Sequence, residues 1–166
     1  MLFRFGLTVG LVCLGLVAEV EAKPADSFGS IEILRDRWGV PHVFSDTDEG
    51  AMYGLGYACA EDRAFQMVYS LRLMQGRLAE TIGDVPQLNR GKGTTLDSDK
   101  KMRILGFYRA ATKLVANLDT ETVKLLEAYC DGVNDYVAEH PDDLLYLFKK
   151  LDLKIEPWTP ADCIAS

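Results

Sequence analysis

Tyr53, Tyr57, Ala60, Ala64, Met67, Leu71, Met74 and Leu78 recur at alternating steps of four and three, and this spacing constrains the fold more than any other feature of the chain. Side chains so spaced lie along one face of an α-helix, and the stripe predicts a single helix of about seven turns. Asp46, with Glu49 three residues on, resembles its capping box. Glu61, Arg72 and Gln75 fall away from the stripe. Gly54 and Gly56 lower helix propensity, and a close packing partner is the physical reason to tolerate them.

A short β pair precedes this helix. Residues 31–34 alternate in polarity, and residues 40–44 follow the turn-like Asp36-Arg37-Trp38-Gly39, so a hairpin or paired edge is expected. Residues 83–95, with Pro86, Asn89, Gly91 and Gly93, read as an exposed loop. Ile104, Tyr108, Ala111, Val115 and Leu118 define a second helical face. Asp119 caps a third helix, whose face is Leu126, Cys130, Val133 and Val137. Pro141 ends that helix or begins the next, and residues 144–151 form a further short apolar helical segment. Thr159-Pro160-Ala161-Asp162 is a strong helix start: Thr at the N-cap, Pro at N1 and an acid at N3. Fewer than two turns follow before Ser166, and so short a helix has little stability of its own. The expectation is an N-terminal portion of something longer.

The other end reads as an address. Arg4 supplies a positive n-region, residues 5–17 are apolar apart from glycines and Thr8, and Val20-Glu21-Ala22 offers small residues at −3 and −1 of a cleavage site. Residues 1–22 therefore read as a secretory signal peptide, with export to the periplasm or medium and no membrane association after cleavage. Gly10-Leu11-Val12 has the wrong residues before Cys13 for a lipoprotein. The remaining 17 basic and 23 acidic residues give a net charge of −6, which argues against a nucleic-acid partner. Cys59, Cys130 and Cys163 survive cleavage; an odd count permits one disulfide and leaves a thiol over, and with no CxxC spacing the reading is buried apolar thiols.

Candidate chemistry is sparse. Gly54-Leu55-Gly56 lacks the third glycine and the preceding strand of a dinucleotide fingerprint, and Pro86 stands where a phosphate loop ending in Gly91-Lys92-Gly93-Thr94-Thr95 needs glycine. Asp46, Asp48 and Glu49 do not meet the spacing of a calcium loop. Glu61-Asp62-Arg63 suits structural ion pairs better than a catalytic acid pair. His42 and His140 are each followed or preceded by proline, with no Ser or Cys nucleophile in a recognisable setting.

A set of collinear blocks supplies what the chemistry does not. Ile33-Leu34-Arg35-Asp36-Arg37-Trp38-Gly39-Val40-Pro41-His42-Val43 is followed by Tyr53-Gly54-Leu55-Gly56-Tyr57-Ala58 and Glu61-Asp62-Arg63-Ala64-Phe65-Gln66-Met67. Gln75-Gly76-Arg77-Leu78-Ala79-Glu80, Ile82-Gly83, then Leu126-Glu127-Ala128-Tyr129-Cys130-Asp131-Gly132-Val133-Asn134 and Glu156-Pro157-Trp158-Thr159-Pro160-Ala161-Asp162 complete the series. Together they resemble the opening of the penicillin acylase family over residues 30–166.

That resemblance implies an α+β fold, in which a mainly helical α-chain segment with an early strand pair (residues 23–166) belongs to the four-layer αββα sandwich of N-terminal nucleophile hydrolases. It implies an exported precursor that cuts itself into α and β chains, cleaving linear amides of an apolar acyl group. The β chain is the implied partner, and its N-terminal Ser the nucleophile. The α-amine of that Ser, with an ordinary pKa of ~7.7–8.0, takes the hydroxyl proton, and β-chain groups form the oxyanion hole. Family pocket residues and a calcium-ligating Glu lie on and beyond the helix that begins at Trp158-Thr159-Pro160-Ala161-Asp162. No catalytic, cofactor-binding or metal-ligating residue is therefore assigned here, and calcium is an expectation only for a full-length enzyme. Arg35, Asp36, Asp62, Arg63, Arg77 and Glu80 are expected to fix the first strands against the long helix. The competing readings are a truncated, non-catalytic remnant of such an enzyme and an exported helical binding protein.

Overall fold

Two strands and seven helices account for the described residues of the computed structural model, which are 28–86, 93–141, 145–153 and 155–166. Residues 1–22, read above as a signal peptide, lie outside them. Strand β1 (Ile31–Arg35) pairs antiparallel with β2 (Pro41–Ser45), Ile33 opposite Val43. The hairpin forms where the alternation predicts it. Its turn is closed by Asp36, whose carboxylate accepts from the backbone N–H of Trp38 and Val40 at 2.8 and 3.0 Å. Those two donors hold the Asp36 carboxyl below its ordinary pKa.

Helix α1 spans Asp48–Gln75. Its N-cap is Thr47, one residue beyond the Asp46 expected, and its hydroxyl accepts from Gly50 N–H at 3.0 Å; with Gly50 at N3 the expected capping box is replaced by this single bond. The predicted single helix through Leu78 is also corrected. Arg63 leaves helical geometry (φ −144°, ψ 16°), and Gly76 ends α1 in the left-handed conformation. Leu78 then opens a separate helix, α2 (Leu78–Ile82). The apolar face survives both interruptions: Tyr53, Ala60, Ala64, Leu71 and Leu78 are all buried.

Opposite α1 runs α5 (Thr120–Glu139), capped by Asp119 as expected, the carboxylate accepting from Thr122 N–H at 2.8 Å. The crossing explains the glycines. A Cβ at Gly56 would fall within 3.0 Å of the Tyr129 carbonyl oxygen, and one at Gly132 equally close to that of Tyr53. Backbone meets backbone here. Gly54 meanwhile makes room for Val43 and Ile31 of the hairpin. Around this crossing Ala60, Ala64, Val68 and Leu71 bury against Cys130, Val133 and Tyr136, with Phe148 of α6 (Leu145–Lys150) and Trp158 closing the core.

The second predicted stripe does not hold as one face. It is divided between α3 (Thr95–Leu105) and α4 (Phe107–Val115) by Gly106, at φ +71°, a conformation that glycine adopts without strain. The change of direction leaves Ile104 81% exposed while Ala111 is buried. The expected loop over 83–95 is closed at its base by a bridge between Pro86 and Thr94, and Thr95 is buried, with Val85 N–H donating to its hydroxyl at 3.1 Å. Residues 87–92 lie outside the described set. Helix α7 (Pro160–Ala165) begins as its sequence predicts, with Thr159 and Asp162 forming a capping box.

Candidate functional site

The arrangement that draws most of the family-like blocks together surrounds the start of α7. Asn134, on α5, binds the backbone of Trp158 twice: its amide donates to the Trp158 carbonyl at 3.0 Å, and its oxygen accepts from Trp158 N–H at 2.7 Å. Trp158 is buried, and its indole N–H donates to Cys163 Sγ at 3.3 Å. One turn further, the buried Asp162 carboxylate accepts from Thr159 N–H at 2.8 Å, from the Thr159 hydroxyl, and from the Tyr108 hydroxyl of α4 at 3.0 Å. Burial and the neighbouring Asp162 charge both raise the Tyr108 pKa, so its phenol stays protonated and remains a donor.

Glu156 anchors the same segment from the other side. Its carboxylate takes a forked pair of bonds from Arg77, 3.0 Å each, and a third from the buried Arg72 at 3.1 Å. These guanidinium contacts, Arg77 first, lower the Glu156 pKa to about 2 from an ordinary 4.5. Because the folded pKa lies below the unfolded one, this contribution is present above pH ~4.5 and is lost as the pH falls toward ~2. The Glu156 side chain is 55% exposed, so solvent screening limits the contribution to about 1 kcal/mol. Glu156→Gln should lower stability at pH 7 by that amount and flatten the acid limb in this window, as read by denaturant midpoints at pH 7, 4 and 2.5. An unchanged acid limb would remove Glu156 from the account.

The polar residues expected to fix the strands divide. Arg35 does so: its guanidinium pairs with Glu61, and with Asp62 at 2.9 Å, tying the end of β1 to α1. Asp36 works inside the hairpin turn, and Arg63 is exposed with no side-chain partner among the described residues. Arg77 and Glu80 pair with each other at 2.9 Å, and Arg77 reaches Glu156 rather than a strand. Arg72, which the stripe placed away from the packed face, is buried. Its signal in the sequence was absent, because its partner lies 84 positions away.

The histidines serve different elements. His42, on β2, lies 3.7 Å from Asp36, and His140, the C-cap of α5, lies 3.0 Å from the Tyr57 hydroxyl and stacks on Tyr136. Burial and the nearby Glu139 raise the Tyr57 pKa to about 12. Cys130 is buried as expected, whereas Cys59 and Cys163 are half-buried. Among the described residues no group of three or more His, Cys, Asp or Glu side chains is placed to hold a metal ion, and no helix is long and apolar enough to cross a membrane. What this geometry does is hold: it fixes the start of α7 against α1, α4 and α5.

Known proteins resemble this chain in sequence and fold. The family model described as penicillin amidase matches residues 30–166. Penicillin G acylase of Escherichia coli is 32% identical over 145 residues, covering 85% of this chain and 16% of its own length. The acyl-homoserine lactone acylase QuiP of Pseudomonas aeruginosa is 34% identical over 134 residues, covering 80% of this chain and 15% of its own. The thermostable penicillin G acylase from Alcaligenes faecalis superposes with a TM-score of 0.69 at 32% identity, covering 82% of this chain and 69% of that one. The chain thus spans about one sixth of the curated relatives it matches. With a mainly helical α+β fold, an early antiparallel strand pair and a match over residues 30–166, the chain belongs to the penicillin amidase family.

Proposed function

We propose that the chain is the N-terminal part of the α chain of an exported acylase, one that hydrolyses linear amides of an apolar acyl group with a β chain of the same precursor. The observation that carries this reading is spatial. Separate blocks close on one another: Asn134 and Trp158 across 24 positions, and Arg77 with Glu156, and Gly132 with Tyr53, across 79 each. The small share of its relatives' length that the chain covers supports a larger whole. So do the large apolar side chains left exposed on α3 and α4, namely Leu96, Ile104, Leu105, Phe107 and Leu114, which suit a surface covered by the β chain. The leader-like residues 1–22 support export.

In this reading the chain contributes scaffold, and the reacting groups reside on the β chain. The resemblance supplies an N-terminal Ser whose hydroxyl attacks the amide carbonyl while its own α-amine takes the proton. The relatives' names set two substrate classes to test, penicillin G and acyl-homoserine lactones. The deciding observation is the DNA that follows codon 166. An open frame with a Gly-Ser junction and a β chain is expected; a stop codon there would leave the non-catalytic remnant instead.

The 166 residues alone should hydrolyse no amide, because both the base and the oxyanion donors belong to the β chain. Purified chain, freed of host acylase, should show no turnover of a chromogenic arylacetyl amide or a long-chain acyl-homoserine lactone above a catalyst-free control. Reproducible turnover would overturn the division of labour between the two chains.

A further inference from the structure

Cys130 and Cys163 lie 33 positions apart in sequence, yet their sulfur atoms are 3.5 Å apart in the structure. One sits on α5 and the other on α7, so the contact joins two helices that local sequence does not connect. From this geometry we propose that Cys130 and Cys163 form a dithiol that closes to a disulfide by exchange with a small disulfide donor, with Cys163 as the attacking thiol and Cys59 left out of the bond.

The distance is the first argument. A disulfide needs sulfurs about 2.05 Å apart, so an approach of roughly 1.5 Å completes the bond. Helix α7 is six residues long, and a displacement of that size at its middle is within reach of a short element. Position on the surface is the second argument. Cys163 is half-buried, while Cys130 is buried. The order of attack follows: the less buried cysteine meets the donor, and the buried one then resolves the mixed disulfide without leaving the core.

Electrostatics points the same way. The two sulfurs are in hydrogen-bond contact with each other, Cys163 also accepts from the Trp158 indole N–H, and these contacts, that with Cys130 first, lower the Cys163 pKa. The contact with Cys163, together with burial, pushes the Cys130 thiol up. The group that reacts first is thus the one better able to become a thiolate. Cys59, on α1, lies against the Tyr129 hydroxyl.

The chemistry balances without an external metal or electron carrier. The Cys163 thiolate attacks one sulfur of the donor, breaking its S–S bond and releasing one donor thiolate. The Cys130 thiolate then attacks Cys163 Sγ, forming the protein disulfide and releasing the second donor thiolate. The protein dithiol is oxidised, the donor disulfide is reduced, and the two protons lost by the cysteines end on the two released donor thiolates, which leave as thiols. Disulfides of this kind persist in oxidising compartments.

Glutathione disulfide is the probe. The whole chain, fully reduced and then incubated with it at pH 8, should lose the mass of two hydrogen atoms in the peptides that carry Cys130 and Cys163, recovered as one cross-linked pair. The bond should raise the thermal midpoint by roughly 5–10 °C, and this gain should vanish on reduction. In single variants, Cys163 in Cys130→Ser should take up glutathione at least about ten times faster than Cys130 in Cys163→Ser. A Cys59→Ser chain should close the same bond, which keeps the test independent of how the other variants fold. A cross-link through Cys59, or stable glutathione adducts on Cys130 or Cys163 in the unmutated chain, would overturn the pairing. Equal uptake in the two single variants would overturn the assignment of Cys163 as attacking thiol.

Discussion

Gly132→Ala should destabilise the fold by about 3 kcal/mol or more, a drop in thermal midpoint of about 10 °C, although the same change in an ordinary helix would stabilise it by about 1 kcal/mol. The sign reverses because the new methyl has no space. It would fall within 3.0 Å of the Tyr53 carbonyl oxygen and of the Tyr57 backbone nitrogen, both on α1. Backbone atoms cannot rotate aside as a side chain can, so α1 and α5 must part. Parting them loosens Ala60, Ala64, Val68, Cys130 and Val133 together, since all five pack between these helices. Gly56→Ala should act alike, against Tyr129. The double variant should cost clearly less than the two single effects summed, because the first methyl already separates the helices. Denaturant unfolding of the four chains measures this cycle. Strict additivity, or a stabilised Gly132→Ala chain, would show that the helices do not meet at these glycines.

Asp99→Ala is expected to cost about 2–3 kcal/mol, from one buried carboxylate on α3. Asp99 is only 5% exposed and accepts from the backbone N–H of Leu78 and of Ala79, both at 2.8 Å. Helix α2 has no capping side chain of its own; Arg77 at its N-cap makes no such bond. The Asp99 carboxylate does that work from 20 positions away. Alanine would leave the buried Leu78 N–H without an acceptor. Asp99→Asn should recover part of the loss, since one amide oxygen remains to accept while the amide nitrogen cannot. Hydrogen exchange at Leu78 and Ala79 should accelerate most in the alanine variant, and unchanged exchange there would refute the cap.

These two sites show where the sequence was legible. Gly54 and Gly56 announced a close neighbour because glycine inside a helical stripe is costly without one, but nothing local named Tyr129 as that neighbour. The hairpin, the Asp119 cap and the Thr159–Asp162 capping box were readable because each is determined within a few residues. Thr47 displaced Asp46 as the N-cap of α1 by a single position, the scale on which capping choices between adjacent polar residues are decided by backbone geometry. Gly106 defeated the second stripe, because apolar spacing continues across a glycine that turns the chain. Asp99 and Arg72 were invisible for a different reason. A buried charge looks like any surface charge until its partner is known, and their partners come from other elements. The site around α7 followed the same rule: the blocks were recognisable one by one, while the bonds from Asn134 to Trp158 and from Arg77 to Glu156 emerge only on folding.

The separation of those partners bears on how the chain is made. Tyr53 bonds Asp135, Tyr57 meets His140, and Arg77 meets Glu156, pairs that stand 82, 83 and 79 positions apart. A ribosome adding roughly 5–20 residues per second needs about 4–16 s to supply the second member of each pair after the first. Throughout that interval the part of the α1 face that packs on α5 has no native surface to cover it. The nascent chain therefore presents this face to chaperones for seconds before its own fold can claim it.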